Sequence, residues 1–419
     1  MEKKEIFASI EIADHEVRLV VGEFYETRFN ILRVEKAAVT GVIDKRISDE
    51  QNVVNGIIKT LHQAQEALGY RIERVLLALP SVNVQRHNRR VHVIPQESSK
   101  RIRLSDVQKA LNEAVSYKPD EQVELVNVGC IKYIVNGITS RKIPIDEVCD
   151  ILLMDVDLLY ADKDIVYSYA RCVERAGLEI LDVCLDSYAS AQEAAVFEQT
   201  VDKYVVLVDI SRQSTTLSLF THGKLANCEV LLTGYGSWME RLLEQTNLSE
   251  HVGFRLLQNT CTFNETYAQN SVIYVWAKNG VQRQLTERNV CEMTAPMVRN
   301  WLNTVNEACA PIIENGDVQY LLSGEGCEIQ AIKDVLDGLN APWNIYVPQT
   351  IGARDCSLTV CLGMFYSWKE QQKIRADERV SCAQQDVVAS VGSVSRRMKS
   401  NDDEGGFTKK LKSILLNDK

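Results

Sequence analysis

Short apolar runs and segments with helical spacing alternate along most of the chain. The stretch IFASIEIADHEVRLVVGEF gives two strand-like runs joined by a polar turn, and NILRVEKAAVTGV supplies a third. Over residues 50–68 the apolar positions Val53, Val54, Ile57, Ile58, Leu61 and Leu68 recur at helical intervals, which predicts a helix. RVLLALP then reads as a buried strand. Strand and helix in alternation predict an α/β domain.

The texture changes over residues 82–162. Three strand-like runs (VNVQRHNRRVHVIP, VELVNVGCIKYIV, DILLMDVDLLY) surround one helix, RLSDVQKALNEAV, with Ser105 as its candidate cap. This predicts a small inserted α+β subdomain. The α/β pattern resumes with the helix DKDIVYSYARCVERAG, the strand LEILDVCL and the helix DSYASAQEAAVF.

KYVVLVDISRQSTTLSLF then repeats the opening pattern. Asp209-Ile210-Ser211 faces Glu11-Ile12-Ala13 when the two stretches are aligned, each between a strand-like run and apolar alternation. Two related domains facing a cleft are predicted. Helices over 236–261 and 287–309 flank the strand SVIYVWA, and VQYLLSGEGCEIQAIKDVLDGL reads as strand, glycine turn and helix. The expected divisions are 1–81 with 163–198, an insertion at 82–162, a second domain at 199–370 with a small part at about 240–310, a disordered linker at 371–404 and a terminal helix at 405–419.

Composition narrows the classes. A net charge of -10 argues against a general nucleic-acid binder, and no apolar run approaches the length of a membrane span. The twelve cysteines include no CxxC pair and read as reduced core residues. The tail differs from the acidic body: residues 396–419 hold seven Lys/Arg against four Asp/Glu. In GGFTKKLKSILLNDK, Phe407, Leu411, Ile414 and Leu415 share one helical face, with Lys409, Lys410 and Lys412 toward the other. A helix of that kind suits a membrane interface; docking on the protein itself or on a partner is the alternative.

Each half of the cleft can be read chemically. A carboxylate at a strand end, Glu11 or Asp209, can hold a hydrated Mg²⁺, and a turn such as Ala13 or Ser211 to Ser214 can present backbone N–H groups to phosphate. Gly324 and Gly326 would let a nucleotide approach backbone.

In this order the parts resemble the actin, sugar-kinase and Hsp70 superfamily, and within it the bacterial cell-division family FtsA. The resemblance covers essentially the whole chain: a first phosphate motif at Ser9 to Val17, the insertion, a second at Val208 to Thr216, an adenosine motif at Leu321 to Cys327, and the tail. It implies an actin-like (ribonuclease H-like) two-domain fold, with ATP and Mg²⁺ as the ligands of the cleft. It also implies an adaptor that forms filaments at the cytoplasmic face of the membrane at the septum, binds the C-terminal peptide of FtsZ and recruits later division proteins. For that peptide Arg283, Arg288 and Arg299 are the candidate cations, with solvated helix-face arginines as the plainer reading.

The chain departs from the family pattern at the cleft. Glu11 and Ala13 stand where aspartate and glycine are usual, Ser211-Arg212-Gln213 replaces glycines, Thr216 replaces an acid, and Glu325 replaces a glycine. Glu325 would repel phosphate unless Arg212 neutralised it. Gly253, Arg255 and Leu257 occupy the region where the family offers a glutamate and a lysine to the ribose and adenine. Asp186 lies near a water-orienting position, with helix capping as the alternative. These departures predict a degenerate site with nucleotide binding weakened or lost, and no enzyme. The alternatives are a PilM-like pilus-assembly adaptor, and an active ATPase or kinase of the superfamily, which would require the missing glycines.

Overall fold

The computed structural model describes residues 4–26, 28–259, 261–278 and 281–383. Two five-stranded sheets repeat one topology. The first runs Glu179–Leu185, Arg74–Leu79, Glu5–Ile12, Glu16–Tyr25, Arg28–Ala38, and the second runs Trp343–Ile345, Val318–Ser323, Tyr204–Ile210, Thr215–Thr221, Lys224–Leu231. In each, a three-stranded antiparallel meander adjoins two parallel strands. The likeness of Glu11 to Asp209 is thus part of a duplication of whole sheets. Central strands such as Val205 to Val208 are apolar without interruption because both faces are covered.

Local signals explain the first helix, Glu50–Leu68. Asp49 accepts the Asn52 N–H at its start, and Gly69, at φ 76°, ends it with its N–H on the Gln65 carbonyl. Val53, Val54 and Ile57 are buried under the first sheet, whereas Ile58 is exposed.

The insertion is a four-stranded antiparallel sheet in the order Gln85–Val93, Leu152–Asp162, Val123–Val135, Ile138–Ser140, covered by helix Leu104–Val115. It has its own core around Tyr133, Met154 and Leu158. Ser105 is not the cap of its helix. The Asp106 carboxylate, one residue further in, accepts the Arg103 N–H at 2.9 Å.

In the second domain the expected single helix over 236–261 is two, Tyr235–Thr246 and Glu250–Asn259, separated at Asn247 with φ 53°. The hairpin Val272–Lys278 and Val281–Thr286 and the long helix Glu287–Ile313 complete the small part. After Ser323 the expected helix is a series of 3-10 turns, Glu325–Glu328, Gln330–Asp334 and Leu336–Gly338.

The last described helix, Thr359–Arg375, returns to the first domain, and Gly363 allows it to touch helix Asp186–Glu193: a Cβ there would lie 1.7 Å from the Ala189 carbonyl oxygen. A linker was expected from residue 371, yet this part is packed. Gln371 and Gln372 are buried, and Ser381 is stitched to the first sheet. Its N–H donates to the Ile6 carbonyl, its carbonyl accepts from Glu73 and Arg74, and its hydroxyl accepts the Ala8 N–H. Paired backbone here replaces the solvation that a polar composition suggested. The terminal helix, with Phe407, Lys409, Lys410, Leu411, Lys412, Ile414 and Leu415, lies outside the described residues. Among the described residues no helix is long and apolar enough to cross a membrane. Among the described residues no disulfide joins the cysteines.

Candidate functional site

The two hairpins meet at the cleft. Glu11 stands near the end of the first central strand, and Asp209 near the end of the second, opposite Thr216 and Ser323. The turn after Asp209 is closed by the Ser211 N–H on the Ser214 carbonyl at 3.0 Å, and the Ser211 hydroxyl lies 3.3 Å from Asp209.

Helix Tyr235–Thr246 begins directly against this turn. The N–H groups of Tyr235 and Gly236, which at a free helix start would face an anion, donate to the carbonyls of Ser211 and Arg212 at 3.1 and 2.8 Å. A Cβ on Gly234 would lie 2.2 Å from the Ser211 oxygen, and one on Gly236 2.8 Å from that of Arg212. Glycine is therefore required at the helix start, in the stretch TGYGS, where the turn itself has none. Those two glycines are the local mark of this seam in the sequence.

The hairpins also bind each other. The Gln213 N–H donates to Asp14 at 2.6 Å, and its side-chain amide reaches the carbonyls of Asp14 and Val42. Ala13 is buried in the first turn, its N–H on the Glu16 carbonyl.

Cations of the chain fill the remaining space. Arg18 is buried and spans the cleft, with Nη1 3.2 Å from Glu11 and 3.1 Å from the Ser357 carbonyl, Nε 2.6 Å from Glu16, and Nη2 3.2 Å from Glu325. His15 bridges Asp14 at 2.8 Å and Glu325 at 3.0 Å, and the Tyr235 hydroxyl donates to Glu325 at 2.8 Å. Lys45 places its ammonium 4.0 Å from Asp186. Arg212, expected to neutralise Glu325, instead pairs with Glu250, because its turn points it toward helix Glu250–Asn259. Arg18 and His15 take that role.

Burial and charge set the ionisation. Burial pushes Glu11 up to about 7, with Arg18 opposing, and burial likewise raises Asp209. Burial would raise Glu325 too, but His15 and Arg18 outweigh it and hold the carboxyl at about 2. Burial would lower His15, and its bonds to Asp14 and Glu325 bring it instead to about 9.

A magnesium–nucleotide complex does not fit this arrangement. The cavity beside Glu11, Ala13, Lys45, Asp186 and Ser211 measures about 10 Å³, room for about one water. The helix-start N–H groups of Tyr235 and Gly236 are already spent on the turn's carbonyls, and the carboxylates already face Lys45 and Arg18. Among the described residues, the group that brings three potential metal-ligand atoms together is His15, Glu16 and Glu325, and Arg18 bridges both of its carboxylates. Glu11 and Asp209 are not in it. Gly324 and Gly326 serve the packing: Cβ atoms on them would lie 2.5 Å from the Asp209 carboxylate and 2.4 Å from Ile210 Cγ2. Ser214 is buried, its hydroxyl without a protein partner. Asp186 accepts from the Ser81 N–H and hydroxyl and from Ser187, so it ties two elements together rather than simply capping one. Gly253 and Leu257 are core residues of their helix and Arg255 is exposed.

The three arginines of the small part separate. Arg283, opposite Trp276 in the hairpin, lines a groove of about 430 Å³ together with Gln245, Leu285, Glu292 and Met293. Arg288 donates to the Ala268 carbonyl, and Arg299 pairs with Glu265; neither lines the groove.

No protein-family model matches the chain. Among solved structures, it resembles a PilM–PilN type IV pilus biogenesis complex, with a TM-score of 0.57 and 15% identity over 86% of this chain and 98% of that one. It also resembles MreB5 of Spiroplasma citri bound to ADP, with a TM-score of 0.52 and 11% identity over 89% and 99%. Duplicated sheets around a cleft and these neighbours define the class: this is a protein of the actin-like ATPase fold. By sequence, the chain is a divergent relative of the FtsA cell-division proteins. It is 30% identical to that of Bacillus subtilis (strain 168) over 237 residues, 56% of this chain and 53% of that protein. With that of Enterococcus hirae it shares 21% over 414 residues, 96% and 92% of the two chains. The chain thus spans about half the length of the Bacillus subtilis relative it matches and nearly all of the Enterococcus hirae one.

Proposed function

We propose that this chain is an actin-like cell-division adaptor that tethers FtsZ to the cytoplasmic face of the membrane at the septum, and that its cleft has lost nucleotide binding. The observation that carries the adaptor reading is the similarity to an FtsA protein along nearly the whole chain. Support for the lost nucleotide comes from the cleft, where Arg18, His15 and Lys45 face the carboxylates and the remaining void is water-sized.

In this reading the groove at Arg283 receives the acidic C-terminal peptide of FtsZ, with Trp276 and Met293 against its apolar anchors. The tail at 405–419 binds lipid, and copies assemble into filaments that recruit later division proteins. The protein acts by holding partners together, not by turning over ATP.

Fluorescence anisotropy with a labelled FtsZ C-terminal peptide tests the reading. Arg283→Glu weakens binding by about tenfold or more, since a charge-assisted contact becomes a repulsion, while Arg299→Glu changes it less than about twofold. Equal effects would refute the groove assignment, and no binding by the unmodified chain would refute the adaptor. Equilibrium titration with labelled ATP and Mg²⁺ is the second arm; micromolar affinity that Asp209→Ala abolishes would refute the lost cleft.

A further inference from the structure

A two-residue turn carries Lys45 into the cleft. Strands Val42–Ile43 and Arg46–Ile47 pair antiparallel, and the residues between them, Asp44 and Lys45, have φ of 49° and 62°. Tight hairpins with both central residues left-handed favour Asn-Gly, so Asp-Lys is a strained choice that persists only where the surroundings hold it. Here they do. The Tyr169 hydroxyl donates to the Lys45 carbonyl at 3.1 Å, and Gln213 of the other domain reaches the Val42 carbonyl.

The strain secures one thing, an ammonium among carboxylates. Lys45 is 9% exposed, lies 4.0 Å from Asp186, and interacts electrostatically with Asp209, Asp14 and Glu11. On the other flank Arg18 and His15 of the first domain meet Glu325 of the second. Six carboxylates, Glu11, Asp14, Glu16, Asp186, Asp209 and Glu325, therefore share the cleft with Lys45, Arg18, His15 and Lys36, the last 3.8 Å from Glu16. Because burial also shifts Glu11 and Asp209 toward the protonated form, little uncompensated charge is left for a divalent ion to neutralise.

We infer that Arg18, with His15, is a resident counter-ion that clasps the first domain onto Glu325 of the second without any ligand, and that Lys45, paired to Asp186 of its own domain, supplies the positive charge behind the joined hairpins. In an actin-like cleft a bound ligand would bridge the halves; here the bridge is built into the chain. Closure is then a constant property of the folded protein. This goes beyond the adaptor reading and does not depend on FtsZ or lipid.

Hydrogen exchange by mass spectrometry on the full chain, without nucleotide or peptide, tests the clasp. Lys45→Met and Glu325→Gln approximately keep side-chain volume while removing charge. Each is expected to speed exchange in the segments 42–47 and 211–214 by about tenfold or more, while strand Arg74–Leu79 keeps its protection. Exchange within about twofold of the unmodified chain in both variants overturns the inference. An equal gain at Arg74–Leu79 also overturns it, since that would make the two residues contributors to general stability. Failure here leaves the adaptor reading standing, because the assay contains none of its partners.

Discussion

Replacing Gly324 by alanine separates a glycine kept for a ligand from one required by the fold. Gly324 has φ 87° and ψ 174°, a region essentially closed to other residues, and occupying it costs alanine about 1–3 kcal/mol. The added Cβ would also lie 2.5 Å from the Asp209 carboxylate and 2.8 Å from the Ile210 backbone N and O. Neither neighbour is a flexible tip, and overpacking of this kind costs a further ~1–3 kcal/mol. The sum is about 4 kcal/mol, a large share of the ~5–15 kcal/mol that keeps a domain folded. Gly137 is the control: its φ is 81°, but nothing lies within 4 Å of its Cβ position, so Gly137→Ala should lose only about 1–2 kcal/mol. Urea unfolding followed by the fluorescence of Trp238 and Trp301, stacked edge-on at 5.1 Å in the core of the second domain, reports the difference. Gly324→Ala should lose at least about 2 kcal/mol more than Gly137→Ala with no nucleotide present. Equal losses would refute the close approach to Asp209 as a structural requirement.

The His15 cluster predicts a pH dependence. Its pKa is raised from 6.5 to about 9, so its contribution, up to about 3 kcal/mol, is fully present below pH 6.5 and is lost as pH rises through 9. Urea midpoints across that range should fall for the unmodified chain and flatten for His15→Gln; parallel curves would refute the assignment. Trp301→Phe removes the indole bond to the Thr215 hydroxyl at 2.9 Å and should lower stability by about 1 kcal/mol in urea unfolding followed by circular dichroism. Deleting residues 405–419 should abolish co-sedimentation with anionic liposomes, and sedimentation that persists would place lipid binding elsewhere.

Elements whose signals are local were legible in the sequence. Helix Glu50–Leu68 has its cap, apolar stripe and terminal glycine within 21 residues, Asp49 to Gly69, and its limits match the reading. The break at Asn247 is also local, in TNLSE, but the apolar spacing continues across it. The 3-10 turns after Gly324 were read as a helix because period alone does not report the tight approach to Ile210. At the cleft, Glu11 and Asp209 were visible as acids interrupting apolar strands. Arg18 interrupts VRLVV in the same way, yet its partners lie at positions 11, 16, 325 and 357, and only the assembled domains bring them together. Lys45 was hidden for the same reason: a charged residue in a polar turn is ordinary until the turn is seen to enter the cleft.

The seam at Ser381 sets a boundary. The chain is bonded to the first sheet there and described through residue 383, so the first part of the linker expected at 371–404 belongs to the folded body. That boundary lies beside the starts of the strands at Ile6 and Arg74. The folded body therefore reaches past its last helix, and the end of that extension is set by one buried serine.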